Sequence, residues 1–287
     1  MVFKNKIFLS LVALSAFLAS NASAFSISPL KYFYTLAPGD KQDISITTKN
    51  DSDQPKEYIY VVTGLKQDVS GRSIFADNID LAENWIQNKN EVVAVPAKNS
   101  KDIIFTLTIP KNSPPGAHYL GLGVQEKNDQ AIGARLLTLV TFQVSGTAQE
   151  SLDLEKLVSK QKYYFDKNWS GILSLKNTGN IDLDLTGQLR VYGPFNSFFS
   201  NAISFGNKLF VQSQRDVKIN FTDNSKWLWP GKYYVQVSVG YGLTKQVLNA
   251  GLSFWYCPKW ILIVLGLVLF AMMLKFIYKR VKNEVAV

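Results

Sequence analysis

Hydrophobic and polar residues alternate along most of the chain with a period of two, which is the pattern of a half-buried β-strand. Clusters of Gly, Pro, Asn and Asp separate the alternating segments and are typical of tight turns. Between the two terminal apolar segments, no stretch has the period of a long amphipathic helix. The pattern predicts antiparallel β-sandwiches, with strands at residues 44–47, 58–62, 103–109, 136–144, 171–175, 183–191, 217–221 and 233–239.

Three short sequence motifs occur in the same order in the first and second halves of the chain, and such a repeat indicates two copies of one structural unit. The repeat predicts two tandem immunoglobulin-like β-sandwiches, residues 25–148 and 149–256. With the C-terminal apolar segment, the predicted fold class is all-β with one C-terminal transmembrane helix. The matched pairs are residues 46–50 with 173–177, each ending in Asn; residues 100–105 with 214–219; and residues 115–119 with 230–234, each starting with Pro-Gly.

The first 24 residues have the three parts of a secretory signal peptide. Lys4 and Lys6 give a positive start, residues 7–19 are apolar, and Ala22-Ser23-Ala24 has the small residues of a cleavage site. The mature protein is expected to begin near Phe25. The alternative is an uncleaved N-terminal membrane helix, for which the apolar part is short.

The C-terminal apolar run predicts a membrane-spanning helix over residues 258–278. Residues 260–274 are apolar without interruption, and Lys275 can extend its ammonium group to the interface. Trp255 and Tyr256 precede the run and are typical of an aromatic belt. The basic tail, residues 279–287, is expected in the cytoplasm by the positive-inside rule, with the N-terminal domains outside the cell membrane. A buried core helix would not account for these flanking residues.

The charge changes this interpretation little. The formal net charge is +9, but seven of the 31 basic residues and one of the 22 acidic residues lie in the terminal segments. That leaves 24 basic and 21 acidic residues between Phe25 and Cys257. A nucleic-acid partner is therefore not expected.

Residues for catalysis are scarce. The single histidine, His118, follows a Pro-Pro-Gly turn and is expected to be structural. The single cysteine, Cys257, lies at the outer edge of the predicted helix and is expected to be inert. Asp182 and Asp184 share a strand face and are either part of a calcium site or, as we favour, solvated. No phosphate-binding loop or nucleophile elbow is present. We expect no enzyme, no cofactor, no metal and no small-molecule substrate.

Aromatic residues are the more informative class, at 13% of the chain. The second half has more than a sandwich core uses, and the surplus predicts a contact surface for a protein partner or lipid. In the first half, Asn84 and Trp85 lie in a predicted loop, where the tryptophan ring either stacks on a sugar or closes the end of the sandwich. The candidate binding residues are Asn84, Trp85, Phe198, Phe199, Trp227 and Trp229.

A series of short motifs follows in order along the first half: Ile27-Ser28-Pro29, Pro38-Gly39, Asn50, Asn84-Trp85-Ile86, Ile109-Pro110-Lys111, Pro115-Gly116 and residues 119–123. In these motifs the first half resembles the WxL-interacting proteins, a family of Gram-positive surface proteins. That family has a signal peptide, two immunoglobulin-like domains, a membrane helix and a basic tail. The resemblance implies peptidoglycan binding by the first domain and binding of a host or surface protein by the second. The resemblance covers the whole layout of the chain and, in motif detail, residues 25–144.

The layout of the first domain also resembles that of periplasmic pilus chaperones, which are soluble, whereas this chain is predicted to be anchored. Two hypotheses follow. The first is a non-catalytic adhesion or scaffold protein of the cell envelope that binds the cell wall or a surface protein. The alternative is a membrane-tethered, chaperone-like factor that assembles a secreted or surface subunit by edge pairing. An exposed, unpaired edge strand in the first domain would favour the alternative.

The predicted topology can be tested by proteolysis of intact cells. Protease added from outside should remove residues 25–257 and leave the tail beyond Lys275 intact, because only the N-terminal domains would be exposed outside the membrane. Immunoblotting with an epitope at each end measures this. An N-terminal epitope that survives while other surface proteins are digested would contradict the orientation.

Overall fold

The computed structural model describes residues 25–127, 134–196, 198–222 and 229–285. The predicted signal peptide and Trp227 lie outside the described residues. The described chain consists of β-strands that form two sandwiches and a C-terminal α-helix, which confirms the predicted fold class.

The chain divides into two compact units. The first unit comprises the described residues up to Leu65, those of Phe75–Ser113 and those of His118–Val144. The second comprises Lys66–Ile74, Pro114–Ala117 and the residues from Ser145 onward. Two short segments of the predicted first domain thus group with the second unit. The predicted boundary between residues 148 and 149 stays a prediction.

The first nine strands supply the first sandwich. One sheet has the order β1-β3-β7, and the other has the order β2-β9-β8-β4-β5, with β6 also paired to β4. Apolar residues that face inward from the two sheets form the core, among them the fully buried Ile44, Phe105 and Phe142. The strands are β1 Phe25–Ser28, β2 Lys31–Leu36, β3 Lys41–Asn50, β4 Lys56–Gln67, β5 Ser73–Ala76, β6 Val92–Val95, β7 Ser100–Thr108, β8 Gly116–Glu126 and β9 Arg135–Val144.

The second sandwich repeats this construction. Its sheets have the orders β10-β12-β15 and β11-β17-β16-β13-β14. Trp169, Tyr233 and Phe254 stack in its core, with centroids 5.8 Å apart for Trp169 and Phe254 and 5.4 Å apart for Tyr233 and Phe254. The strands are β10 Leu152–Ser159, β11 Tyr163–Tyr164, β12 Asn168–Asn177, β13 Leu185–Tyr192, β14 Phe198–Ile203, β15 Gln214–Thr222, β16 Gly231–Tyr241 and β17 Gln246–Tyr256.

The sequence repeat is visible in the strand register. Lys49 of β3 pairs with Ser100 of β7, and the matching residues of the second half, Lys176 and Gln214, pair in the same way between β12 and β15. The Pro-Gly landmarks also correspond, because β8 begins at Gly116 and β16 begins at Gly231.

A buried asparagine ends the equivalent strand in each sandwich. Asn177 is fully buried, and its amide nitrogen donates hydrogen bonds to the carbonyls of Ile181 (2.8 Å) and Leu209 (3.0 Å). Its carbonyl oxygen accepts from the backbone N–H of Gly179 (2.9 Å). Asn50 donates to the carbonyls of Gln54, Val95 and Pro96 in the same manner. Each asparagine therefore joins its own turn to a segment that is distant in sequence.

The C-terminal helix, α1, spans Lys259–Val285. Its segment Lys259–Ile277 is 19 residues long, has a mean hydropathy of 2.6 and is not buried against the rest of the chain. By length and composition it is able to cross a membrane. Two residues, Cys257 and Pro258, separate it from β17.

Asn177→Ala should destabilise the second sandwich by about 2–3 kcal/mol, because it removes three hydrogen bonds at a buried site, among them the bond to the carbonyl of Ile181. The expected readout is hydrogen–deuterium exchange in the full chain, with the β12 and β15 amides exchanging roughly 30-fold faster or more. Asn168→Ala is the matched control, since Asn168 is exposed at the start of the same strand. Equal exchange in the two variants would contradict the role of Asn177.

Candidate functional site

A cluster of polar and aromatic residues surrounds the short 3₁₀ helix Leu81–Trp85 in the first unit. Asp80 caps this helix, and its carboxylate accepts a hydrogen bond from the backbone N–H of Ala82 (2.9 Å). Glu83 completes a capping box by accepting from the backbone N–H of Asp80 (3.0 Å). The sequence Asp-Leu-Ala-Glu at residues 80–83 is therefore the local cause of the helix.

The Asp80 carboxylate also holds His118 in place. Nδ1 of His118 donates to it across 2.8 Å, and the backbone N–H of Tyr119 donates across 3.2 Å. Burial raises the pKa of the Asp80 carboxyl, but the hydrogen bonds and charge of His118 and the two backbone donors outweigh burial and keep this pKa below its usual value. The carboxylate form of Asp80 is thus the form that fits the folded state.

Trp85 packs against this cluster. Its ring lies edge-on to His118 with centroids 4.8 Å apart and also contacts Phe142, at 6.2 Å. The side chain is half-buried, whereas Asn84 beside it is exposed. Of the two alternatives for Trp85, this arrangement favours a ring that closes the end of the sandwich, and it is less suited to a ring that stacks on a sugar. Peptidoglycan binding stays a prediction.

His118 and Asp184 both contact other side chains of the protein. His118 is enclosed by Asp80, Trp85 and Phe142, which fits the structural role predicted for it. Asp182 and Asp184 flank Leu183 just before β13, and Asp184 forms an ion pair with Lys208 at 3.2 Å. Among the described residues, no three His, Cys, Asp or Glu side chains come together in a group that would hold a metal ion.

The aromatic candidates of the second unit divide into two kinds. Phe198 and Trp229 are exposed. Phe199, which follows Phe198 in the sequence and belongs to the same predicted site, is half-buried and packs on the buried Phe221 with centroids 4.9 Å apart. Phe199 therefore contributes to the core, and Phe198 and Trp229 remain available for contact.

An open sheet edge in the first unit was not among the predicted site residues. Strand β2 lies at the end of its sheet and runs parallel to residues 139–144 of β9. In the described part of the chain, no strand pairs with its other side. Leu30 and Phe33 at this edge are 72% and 66% exposed. The signal in the sequence is the alternation of apolar residues across Leu30–Leu36, but which strand lies at an edge depends on the tertiary structure.

The crossover before β2 fixes where this edge begins. Strand β1 pairs with β3 in one sheet, and the chain then crosses to β9 in the other. The Thr138 hydroxyl donates to the carbonyl of Pro29 (2.7 Å), and the backbone N–H of Leu139 donates to the carbonyl of Leu30 (2.9 Å). The start of β9, residues 135–138, therefore extends beyond the β2 ladder.

No protein-family profile and no curated protein matches the chain. Among solved structures, it is similar to the class 5 fimbriae chaperone CfaA, at 13% identity over 82% of this chain and 100% of that one, with a TM-score of 0.40. It is also similar to the CsuC–CsuE chaperone–tip adhesion subunit pre-assembly complex of Acinetobacter baumannii, at 13% identity over 68% and 89% of the two chains, with a TM-score of 0.36. A third structure is a PapD-like domain of human CEP192, at 12% identity over 45% and 92%, with a TM-score of 0.32. At these identities the similarities concern the fold alone.

Asp80→Asn should lower the stability of the first unit most at neutral pH. Because the folded pKa of Asp80 lies below the unfolded value of about 3.9, its stabilising contribution is present above that value and is lost as the pH falls through the folded pKa. Denaturant unfolding of the full chain at neutral pH and at about pH 3 measures this. The difference between wild type and variant should shrink in acid.

The control variant is Asp77→Asn, since Asp77 is exposed and lies 3.7 Å from Arg135. It should leave stability nearly unchanged at both pH values. A wild-type minus Asp80→Asn difference that grows in acid would contradict the assigned hydrogen bonds.

Proposed function

We propose that this chain is a non-catalytic, membrane-tethered protein of the cell envelope that binds an extended segment of another protein at the open edge of β2. The partner segment adds a strand to the sheet, as in other complexes formed by β-strand addition. This is the assembly-factor alternative of the two sequence hypotheses. The observation that carries it is the unpaired outer side of β2 with its exposed apolar residues.

Strand β2 is long enough for this role. Its six residues extend for about 20 Å at 3.3 Å per residue, which is the length of an ordinary strand in a globular protein. Lys31, Phe33 and Thr35 point to the exposed side of the sheet, while Tyr32 and Tyr34 are half-buried and Leu36 is buried. An incoming segment would therefore gain backbone hydrogen bonds along the edge and an apolar contact with Phe33.

The other edges of the first sandwich are less open. Strands β1 and β5 have only four residues each. The outer side of β7 is partly covered, because the backbone N–H of Gln87 donates to the carbonyl of Thr106 (2.9 Å) and Ile86 forms a bridge with Leu107. Short strands, covered edges and edge charges are the usual protection against pairing. In β2 the only charge is Lys31.

The chemistry of the partner follows from this edge. A segment that pairs with β2 needs an extended backbone and an apolar residue opposite Phe33, and it needs no particular charge. A β-strand that lacks a neighbour in its own protein has these properties. Helix α1 would keep the complex at the membrane, where a secreted subunit emerges.

The full chain in lipid nanodiscs should bind a labelled ten-residue peptide of alternating valine and threonine, as measured by fluorescence anisotropy. Replacing both Leu30 and Phe33 by lysine should weaken binding at least tenfold, about 1.4 kcal/mol, because two charges replace the apolar contact. Hydrogen–deuterium exchange should show protection of residues 31–36 by the peptide.

Ile104→Lys is the matched control, because Ile104 is an exposed apolar residue on the edge strand β7 of the other sheet. It should bind the peptide as the wild type does. Equal losses in the two variants, or protection that maps to β7 instead of β2, would overturn the proposal.

A further inference from the structure

The five strands of the larger sheet in the second unit each have a terminus at the same end of that sheet. Tyr163 of β11 pairs with Trp255 of β17, and Tyr256, the next residue, pairs with Gly231 at the start of β16. On the other side of β16, Tyr192 at the end of β13 pairs with both Tyr234 and Phe198, the first residue of β14. One end of the sheet thus collects five strand termini.

Exposed aromatic side chains occupy this end of the sheet. We call them the aromatic rim and define it as Tyr163, Tyr192, Phe195, Phe198, Trp229 and Trp255, all of which are exposed. Neighbouring members touch: the rings of Phe195 and Trp229 are 5.4 Å apart and those of Tyr192 and Phe198 are 5.3 Å apart. At the opposite end of the sheet, the β16–β17 hairpin exposes the aliphatic Leu243.

Phe195 combines a left-handed backbone conformation with an exposed side chain. Its φ of 56° and ψ of 38° are in the left-handed region, which is unfavourable for a bulky side chain. The side chain is 82% exposed, so burial in the unit offsets little of this cost. A second apolar surface that covers the ring would offset it.

The connection to α1 places the rim next to the predicted membrane span. The backbone N–H of Cys257 donates to the carbonyl of Tyr164 and that of Trp255 donates to the carbonyl of Lys162, both at 2.9 Å, so β17 is held to its last residue. From Tyr256 to Lys259 the chain makes three Cα steps, which reach about 11 Å at most. The end of β17 therefore lies within that distance of the first residue of the helix, and β16, β13 and β14 follow across the sheet at about 4.8 Å per strand.

We infer that the aromatic rim inserts into the headgroup region of a lipid bilayer beside α1, an inference that rests on the membrane tether of the proposed function. Tyrosine and tryptophan are the residues enriched at that depth, where an apolar ring and a polar atom are both satisfied. Nζ of Lys162 lies 5.8 Å from the centre of the Tyr163 ring and supplies a cation beside the rim for a lipid phosphate. Lys259, the first residue of α1, forms an ion pair with Asp166 at 2.7 Å. The second unit is thus attached to the membrane by a surface as well as by a helix.

The test uses the mature full chain in nanodiscs of phosphatidylcholine and phosphatidylglycerol. In a Cys257→Ser background, a cysteine placed at Phe195 carries an environment-sensitive fluorophore. The emission of this probe should shift to the blue, because the headgroup region is less polar than water, and lipids with a nitroxide at the headgroup should quench it. The matched control is a cysteine at Leu243, which is 87% exposed at the opposite end of the sheet and should be quenched several-fold less.

A third probe, at Leu267 in the middle of α1, separates the two proposals. It should be quenched by lipids with a nitroxide near the end of the acyl chain. Quenching at Leu267 without quenching at Phe195 overturns the rim and leaves the tether intact. Absence of quenching at Leu267 overturns the tether itself.

Proximity alone is distinguished from contact by a further variant. Phe198→Ser together with Trp229→Ser should reduce quenching at Phe195 at least twofold, because the rim would lose much of its apolar surface. Unchanged quenching would mean that the short connection, and not the rim, holds the probe near lipid. A Phe195 probe that is shielded from aqueous iodide but not quenched by lipid nitroxides would instead mark a protein contact and overturn the inference.

Discussion

The buried asparagine at the end of one strand in each sandwich is the constraint on which the rest of the fold depends. Asn50 and Asn177 each bond to their own turn and to a carbonyl more than 30 residues away, at Val95 and Leu209. A buried amide left without partners costs free energy, so the strand has few alternative end points. The end point fixes the register of β3 with β7 and of β12 with β15. These two sheets pack against the larger sheets that contain the β2 edge and the aromatic rim.

The sequence predicted the parts of the fold that local patterns encode. The strand alternation, the paired Asn turns and the paired Pro-Gly turns lie where the repeat placed them. Each of these depends on neighbouring residues, since turn chemistry and side-chain period are local properties. The apolar helix was predicted for the same reason.

Properties that depend on the tertiary structure were not predictable in this way. Trp85 and Trp229 are both tryptophans in turn-rich sequence, yet one packs on His118 and the other is exposed. Phe198 and Phe199 are adjacent and point to opposite faces of β14. The open edge of β2 depends on which strand ends the sheet, and the contact between Asp80 and His118 joins residues that are 38 apart in sequence.

The two-residue connection between β17 and α1 has a mechanical consequence. A long flexible linker would let an attached domain tumble and sample a large volume, whereas a short one restricts both orientation and height above the membrane. Because β17 is hydrogen-bonded up to Cys257, force applied to the second unit would be transmitted to the helix with little slack. Molecules tethered in this way would encounter one another by lateral diffusion in two dimensions and at one common height, which raises their effective concentration for partners on the same membrane.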